Sequence, residues 1–173
     1  MGKPILPFST PETRFMKFRK YALLLLLVIL FIASGFYRDF VFLNINAQMR
    51  ATYYLHKDSE LAPSMKFLET YSYMHLYYAK WVLTFLFSLL FMLYTIGIIR
   101  LYFPEKKYIR WAVIIYSLLF GIAALFWTGG YLANHSEKGY LVARFLMDMT
   151  QSPIMLIVLV PALHLLKKGE ATT

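Results

Sequence analysis

Cysteine is absent from the 173 residues. That removes disulfides, thiolate metal sites and a cysteine nucleophile, and it leaves the redox compartment open. Acidic residues are scarce, 9 against 18 Lys and Arg, for a formal charge of +9. An excess of that size can indicate nucleic acid, but these cations gather at the ends of apolar runs, the pattern of the positive-inside rule. Nucleic acid is therefore not expected as a partner. A glycine-rich phosphate loop and an HExxH metal motif are also missing. The histidines (His56, His75, His135, His164) are scattered, with no metal-ligand spacing and no pair on one apolar face that a bis-histidine haem would need. No metal and no other cofactor is expected.

What is present is apolar mass. Sixty per cent of the residues are hydrophobic and 18% aromatic, well above an ordinary soluble domain. They cluster into long runs, which points to membrane spans. The length fits a single domain. After a basic, proline-containing amino-terminal segment, Tyr21–Phe36 is charge-free. Ala33-Ser34-Gly35 resembles a signal-peptidase site, but apolar residues resume at once through Phe42, so an uncleaved first span is expected. Trp81–Ile99 and Trp111–Tyr131 are charge-free and long enough to cross a bilayer. The expected fold is an all-α polytopic membrane protein with four transmembrane helices, at about 21–37, 80–101, 110–131 and 141–166.

Residues 38–79 form the one sizeable segment between spans, and an amphipathic helical outer loop is expected there. It contains a polar turn at His56–Glu60. From Pro63, which suits a first helical turn, Phe67, Leu68, Tyr71, Met74 and Tyr78 recur at helical spacing. That spacing predicts a helix running directly into the second span. Tyr71, Tyr73, Tyr77, Tyr78 and Trp81 read as an interfacial aromatic belt, one end of each ring wet and the other apolar. In the third span, Gly121, Ala123 and Ala124 offer a small-residue patch for close helix packing, and Gly129-Gly130 is expected to loosen its end.

The last stretch, Gly139–Lys168, reads as the one the others pack around. Arg144 and Asp148 share a helix face four residues apart, ahead of a charge-free run interrupted by Pro153 and Pro161. Cation counts near the span ends place both termini and the basic turn Phe103–Arg110 in the cytoplasm. Arg38, Asp39, Arg144 and Asp148 then fall on the outer side, where they can form one interhelical charge cluster with Gln151 nearby. Ion pairs inside a span usually face protein or trapped water. The cluster reads first as a register-fixing charge pairing, then as a partner or lipid-headgroup site. No base–nucleophile arrangement accompanies it, so no enzyme is expected.

Arg38-Asp39-Phe40-Val41-Phe42-Leu43, and later Ala143-Arg144-Phe145-Leu146 with Pro153 and Pro161-Ala162, resemble segments of small bacterial exosortase-associated membrane proteins. The resemblance covers about a third of the chain and the four-span layout. The spacing from Arg144 to Pro153 is longer than in that pattern, and Asp148 and Gln151 are additional. It implies a non-enzymatic inner-membrane accessory subunit of a protein-sorting or envelope-export system, docked on a larger polytopic partner. The alternative is a membrane protein that binds a lipid, polyprenyl phosphate or quinone. A pocket lined by Arg38, Tyr71, Arg144 and Gln151 would favour the alternative, and a cluster closed by paired charges would favour the subunit.

Overall fold

The computed structural model describes residues 11–54 and 61–170. Among them, five α-helices and one 3-10 helix follow in order: α1 (Pro11–Tyr54), a 3-10 helix (Pro63–Thr70), α2 (Tyr73–Tyr102), α3 (Lys106–Leu132), α4 (Ser136–Thr150) and α5 (Ile154–Glu170). No strand occurs among the described residues. Helices α1, α2 and α3 are each long and apolar enough to cross a membrane, and the bent pair α4–α5 adds a fourth crossing if it counts as one. The expected turn at His56–Glu60 and the segment before Pro11 lie outside the described residues.

The first helix departs from the expected loop. It continues without interruption past Arg38 to Tyr54, about 66 Å at 1.5 Å per residue, twice the thickness of a hydrocarbon core. Residues 37–54 contain neither Gly nor Pro, and Val41 and Ile45 sit one turn apart on the face that packs against Leu68 and Leu76. That stripe sustains the helix beyond the apolar run. Asn44 fixes the return of the chain: its side chain donates to Phe40 O at 2.8 Å and accepts from Ala62 N at 2.9 Å.

A continuous helix from Pro63 into the second span is not what forms. Residues 63–70 wind as a 3-10 helix that ends at extended Tyr71, and α2 begins afresh after Ser72. With three residues per turn and a break, the 3.6-residue period does not carry through. Of the stripe read from the sequence, Leu68 is buried while Phe67, Tyr71, Met74 and Tyr78 are exposed.

Helix α2, not the last stretch, is the central element. It packs on α1, α3, α4 and α5. Phe87 and Phe91 meet Phe31 of α1, with Phe31 and Phe91 in an edge-to-face pair at 4.8 Å. Ile99 and Phe103 join Tyr108, Ala112 and Tyr116 of α3 and Met155, Leu159 and Leu163 of α5 in a second core. Buried hydroxyls on α2 are satisfied within it: Thr95 donates to Phe91 O at 2.9 Å and also meets the Tyr116 hydroxyl at 3.0 Å.

Helices α3 and α4 form a tight antiparallel hairpin. The turn is Ala133–His135, with Asn134 at φ 55°, a left-handed position that asparagine tolerates. Gly130 and Gly139 face each other so closely that a Cβ on Gly130 would lie 2.7 Å from the Gly139 Cα. These glycines serve close approach; Gly129-Gly130 lies inside α3, which runs on to Leu132. Of the expected packing patch, Ala123 is buried, whereas a Cβ on Gly121 would meet nothing within 4 Å.

The fourth apolar segment is broken. Helix α4 stops at Thr150, α5 starts at Ile154, and their axes differ by 64°. Pro153 has no N–H to continue the ladder, and it stands just before α5, where its fixed φ suits a helix start. The α4 end tightens as Gln151 N and Ser152 N donate to Asp148 O and Met149 O, both at 3.2 Å.

Candidate functional site

The break between α4 and α5 brings Gln151 into the bundle, 2% exposed. Its amide nitrogen donates to Thr84 O at 2.8 Å and to Ser88 Oγ at 2.7 Å on α2. Its amide oxygen accepts from Arg38 Nε of α1 at 2.6 Å. Ser88 Oγ also accepts from Thr150 Oγ1 at 3.2 Å and donates to Thr84 O at 2.8 Å. A single amide thus ties three segments together through satisfied polar groups. Such a network is stabilising only while every member keeps its partner.

Arg38 is the other half of this joint. Its Nη2 donates to Asp148 Oδ1 at 2.6 Å and its Nη1 to Asp39 Oδ1 at 3.0 Å. Its guanidinium carbon stands 5.5 Å from the Phe42 ring centre, within cation–π range. The side chain is only 18% exposed, while Asp148 is 48% and Asp39 65% exposed. Arg144 is peripheral by comparison: half exposed, with its Nε 3.8 Å from Asp148 Oδ2 and no side-chain hydrogen bond among the described residues. The residues singled out from the sequence therefore divide. Arg38, Asp39, Asp148 and Gln151 make direct contacts, and Arg144 joins them only through a longer charge contact.

Beside this joint lies a pocket of about 920 Å³. Its walls come from the middle of α1, the start of α2, the end of α3 and the length of α4. Arg38 and Arg144 line it, but Tyr71 and Gln151 do not: Tyr71 caps the 3-10 helix, and Gln151 is turned onto α2. The expected aromatic belt also divides. Tyr73, Tyr77 and Trp81, at successive turns of α2, face the pocket. Tyr71 and Tyr78 are exposed elsewhere. Trp81 is the hub of the aromatic wall, with Trp127, Tyr140 and Tyr77 ring centres 6.1, 6.0 and 6.4 Å away.

Lys80, Asn46, Trp127, Tyr140 and Glu137 belong to the pocket lining, and sequence patterns did not single them out. Lys80 Nζ donates to Asn46 Oδ1 at 2.7 Å, linking α2 back to α1. The available signal was spacing: Glu137, Tyr140, Arg144 and Asp148 fall at i, i+3, i+7 and i+11, one face of α4. Among the described residues no group of three His, Cys, Asp or Glu could hold a metal ion.

No protein-family model, curated protein or solved structure matches the chain.

Proposed function

We propose that the protein is an integral membrane protein that binds an amphiphilic molecule in the pocket between α1, α2, α3 and α4. The observation that carries this reading is the pocket itself. It combines cationic and anionic side chains with a wall of tryptophan and tyrosine, as a headgroup site at a membrane boundary requires. Membrane insertion is supported by the outward faces. Leu25, Leu26, Ile29 and Ile32 on α1 and Leu118 and Leu125 on α3 are all more than half exposed, far more apolar surface than a soluble monomer presents. The salt bridges and the hydrogen-bonded amide beside the pocket are contacts suited to holding a ligand. The protein acts as a binding or presenting subunit in the bacterial inner membrane, both termini cytoplasmic and the pocket on the outer side.

The experiment is gentle extraction of the tagged protein from its native membrane, followed by quantification of co-purified lipids and proteins. One lipid class enriched near one molecule per chain is expected. A protein recovered without any enriched amphiphile would defeat the reading. Orientation is tested separately. A reporter fused after Thr173 is expected to read cytoplasmic and one inserted at Asp58 periplasmic; the reverse pattern would invert the topology.

A second reading follows from the outward face of α3, where Gly121 and Gly129 have no neighbour over them and Leu125 between them is exposed. Together with the exosortase-associated resemblance, it makes the protein an accessory subunit of a protein-sorting or envelope-export system, docked on a polytopic partner. Recovery of such a partner in fixed ratio is the outcome that favours it.

A further inference from the structure

The charge balance of the pocket specifies its occupant more closely than a general affinity for amphiphiles, on the premise that the pocket is a ligand site. Three cations (Arg38, Lys80, Arg144) and three carboxylates (Asp39, Glu137, Asp148) line it. A site built for a simple anion would leave a cationic surplus; this one is balanced.

The charges are not equally engaged. Arg38 takes up Asp39 and one oxygen of Asp148. Lys80 spends one donor on Asn46, and an ammonium has three. Among the described residues, Arg144 has only the Asp148 carboxylate, at 3.8 Å. Glu137 forms no salt bridge among the described residues. The least engaged groups are therefore two cations near enough to feel each other's charge, Lys80 and Arg144, and one carboxylate, Glu137.

Glu137 and Arg144 are two turns apart on the same face of α4, about 10 Å along its axis. Tyr140 stands between them, and its ring meets Trp81, which in turn meets Trp127. Ring faces attract cations, so the Glu137 end is suited to an ammonium. The Arg144–Lys80 end is suited to a phosphate, which guanidinium and ammonium donors recognise through charge-assisted hydrogen bonds. That separation along one helix face leaves room for a short carbon bridge between the two charged groups of a ligand. Phe42, Leu43, Met49 and Met147 supply apolar lining for the adjoining chains.

We infer that the pocket binds the zwitterionic headgroup of a phospholipid with a primary amine, its phosphate held by Arg144 and Lys80 and its ammonium by Glu137 against the Trp81–Trp127–Tyr140 wall. The primary amine is favoured over a quaternary one because Glu137 offers hydrogen-bond acceptors that a trimethylammonium group cannot use.

The test titrates dihexanoyl phosphatidylethanolamine, phosphatidylcholine and phosphatidylglycerol separately into the full-length Trp111→Phe protein in maltoside micelles. The remaining tryptophans, Trp81 and Trp127, both line the pocket, so their fluorescence reports occupancy. Saturable binding is expected for phosphatidylethanolamine, with phosphatidylcholine weaker. Glu137→Gln is expected to weaken phosphatidylethanolamine about tenfold and leave phosphatidylglycerol unchanged or tighter, while Arg144→Gln weakens both about tenfold. Phosphatidylglycerol binding the parent as tightly as phosphatidylethanolamine would overturn the zwitterion assignment and leave an anion site. Equal weakening of all lipids by Glu137→Gln would overturn the ammonium position. Absence of any saturable signal from a protein with its full helical circular dichroism would instead overturn the pocket as a ligand site.

Discussion

Gln151→Leu is expected to lower the unfolding free energy by about 2–3 kcal/mol, although leucine nearly matches the volume it replaces. The loss comes from what it strands. Arg38 Nε loses an acceptor at 2.6 Å, and Thr84 O and Ser88 Oγ lose the amide donor. Ser88 keeps its bond to Thr84 O and its contact with Thr150, so the charged nitrogen bears most of the cost. Arg38→Leu is expected to destabilise by a similar amount, because the buried Gln151 oxygen is then left without its donor. Asp148 and Asp39, which are 48% and 65% exposed, recover hydration and add little. The double variant should be less destabilised than the sum of the two by about 1–2 kcal/mol, the signature of one shared interaction. Equilibrium unfolding in mixed detergent micelles, followed by helical circular dichroism, measures each corner of the cycle. Ser152→Ala is the control: among the described residues its hydroxyl bonds only Met149 O of its own helix end, and its effect should stay within about 0.5 kcal/mol. Strict additivity of the two leucine variants would show that the joint is not a coupled unit.

The Arg38–Gln151 joint also marks where sequence reasoning stops. A run of some twenty residues without charge is a property of residue chemistry alone, so the positions of α2 and α3 were readable to within a turn or so at most ends. Arg38 and Asp148 could be placed at one end of the bundle by counting cations. A string of residues, however, offers Arg144 and Asp148 as the evident pair, because i,i+4 spacing is visible in it. The shorter contact runs instead from Arg38 to Asp148, 110 residues apart. It depends on α1 remaining helical beyond its apolar run, and the absence of Gly and Pro with the Val41–Ile45 spacing was the readable sign. The role of Gln151 depends on the direction of the 64° bend, which Pro153 announces but does not aim. Convergence of Lys80, Trp127 and Tyr140 on one pocket depends on how α2, α3 and α4 are rotated about their axes. That rotation is set by packing between helices, above all by the α3–α4 hairpin.

That dependence makes the hairpin the place where an added side chain should do most damage. Gly139→Val is expected to cost more than about 3 kcal/mol, beyond the usual range for overpacking a core. Ordinary overpacking displaces side chains, which can change rotamer. Here the new Cβ would collide with the Phe126 carbonyl oxygen and lie 2.7 Å from the Gly130 Cα, both backbone atoms of α3, so the helices themselves must part. Parting them draws Trp127 and Tyr131 of α3 away from Glu137 and Tyr140 of α4 and opens the pocket between them. Thermal unfolding in detergent should show a large fall in Tm and in the yield of folded protein. Even under conditions where the variant remains helical, Trp81–Trp127 fluorescence should lose its response to lipid. Gly121→Ala lies on the same hairpin but faces open space, and there the change should be neutral or stabilising by up to about 1 kcal/mol, the helix-propensity difference alone. Glycine content and helix propensity treat these two positions alike; only the distance between backbones separates them. A Gly139→Val protein with parental Tm would mean that α3 and α4 are not in contact at Gly130 and Gly139, and the convergence of the pocket walls would lose its cause.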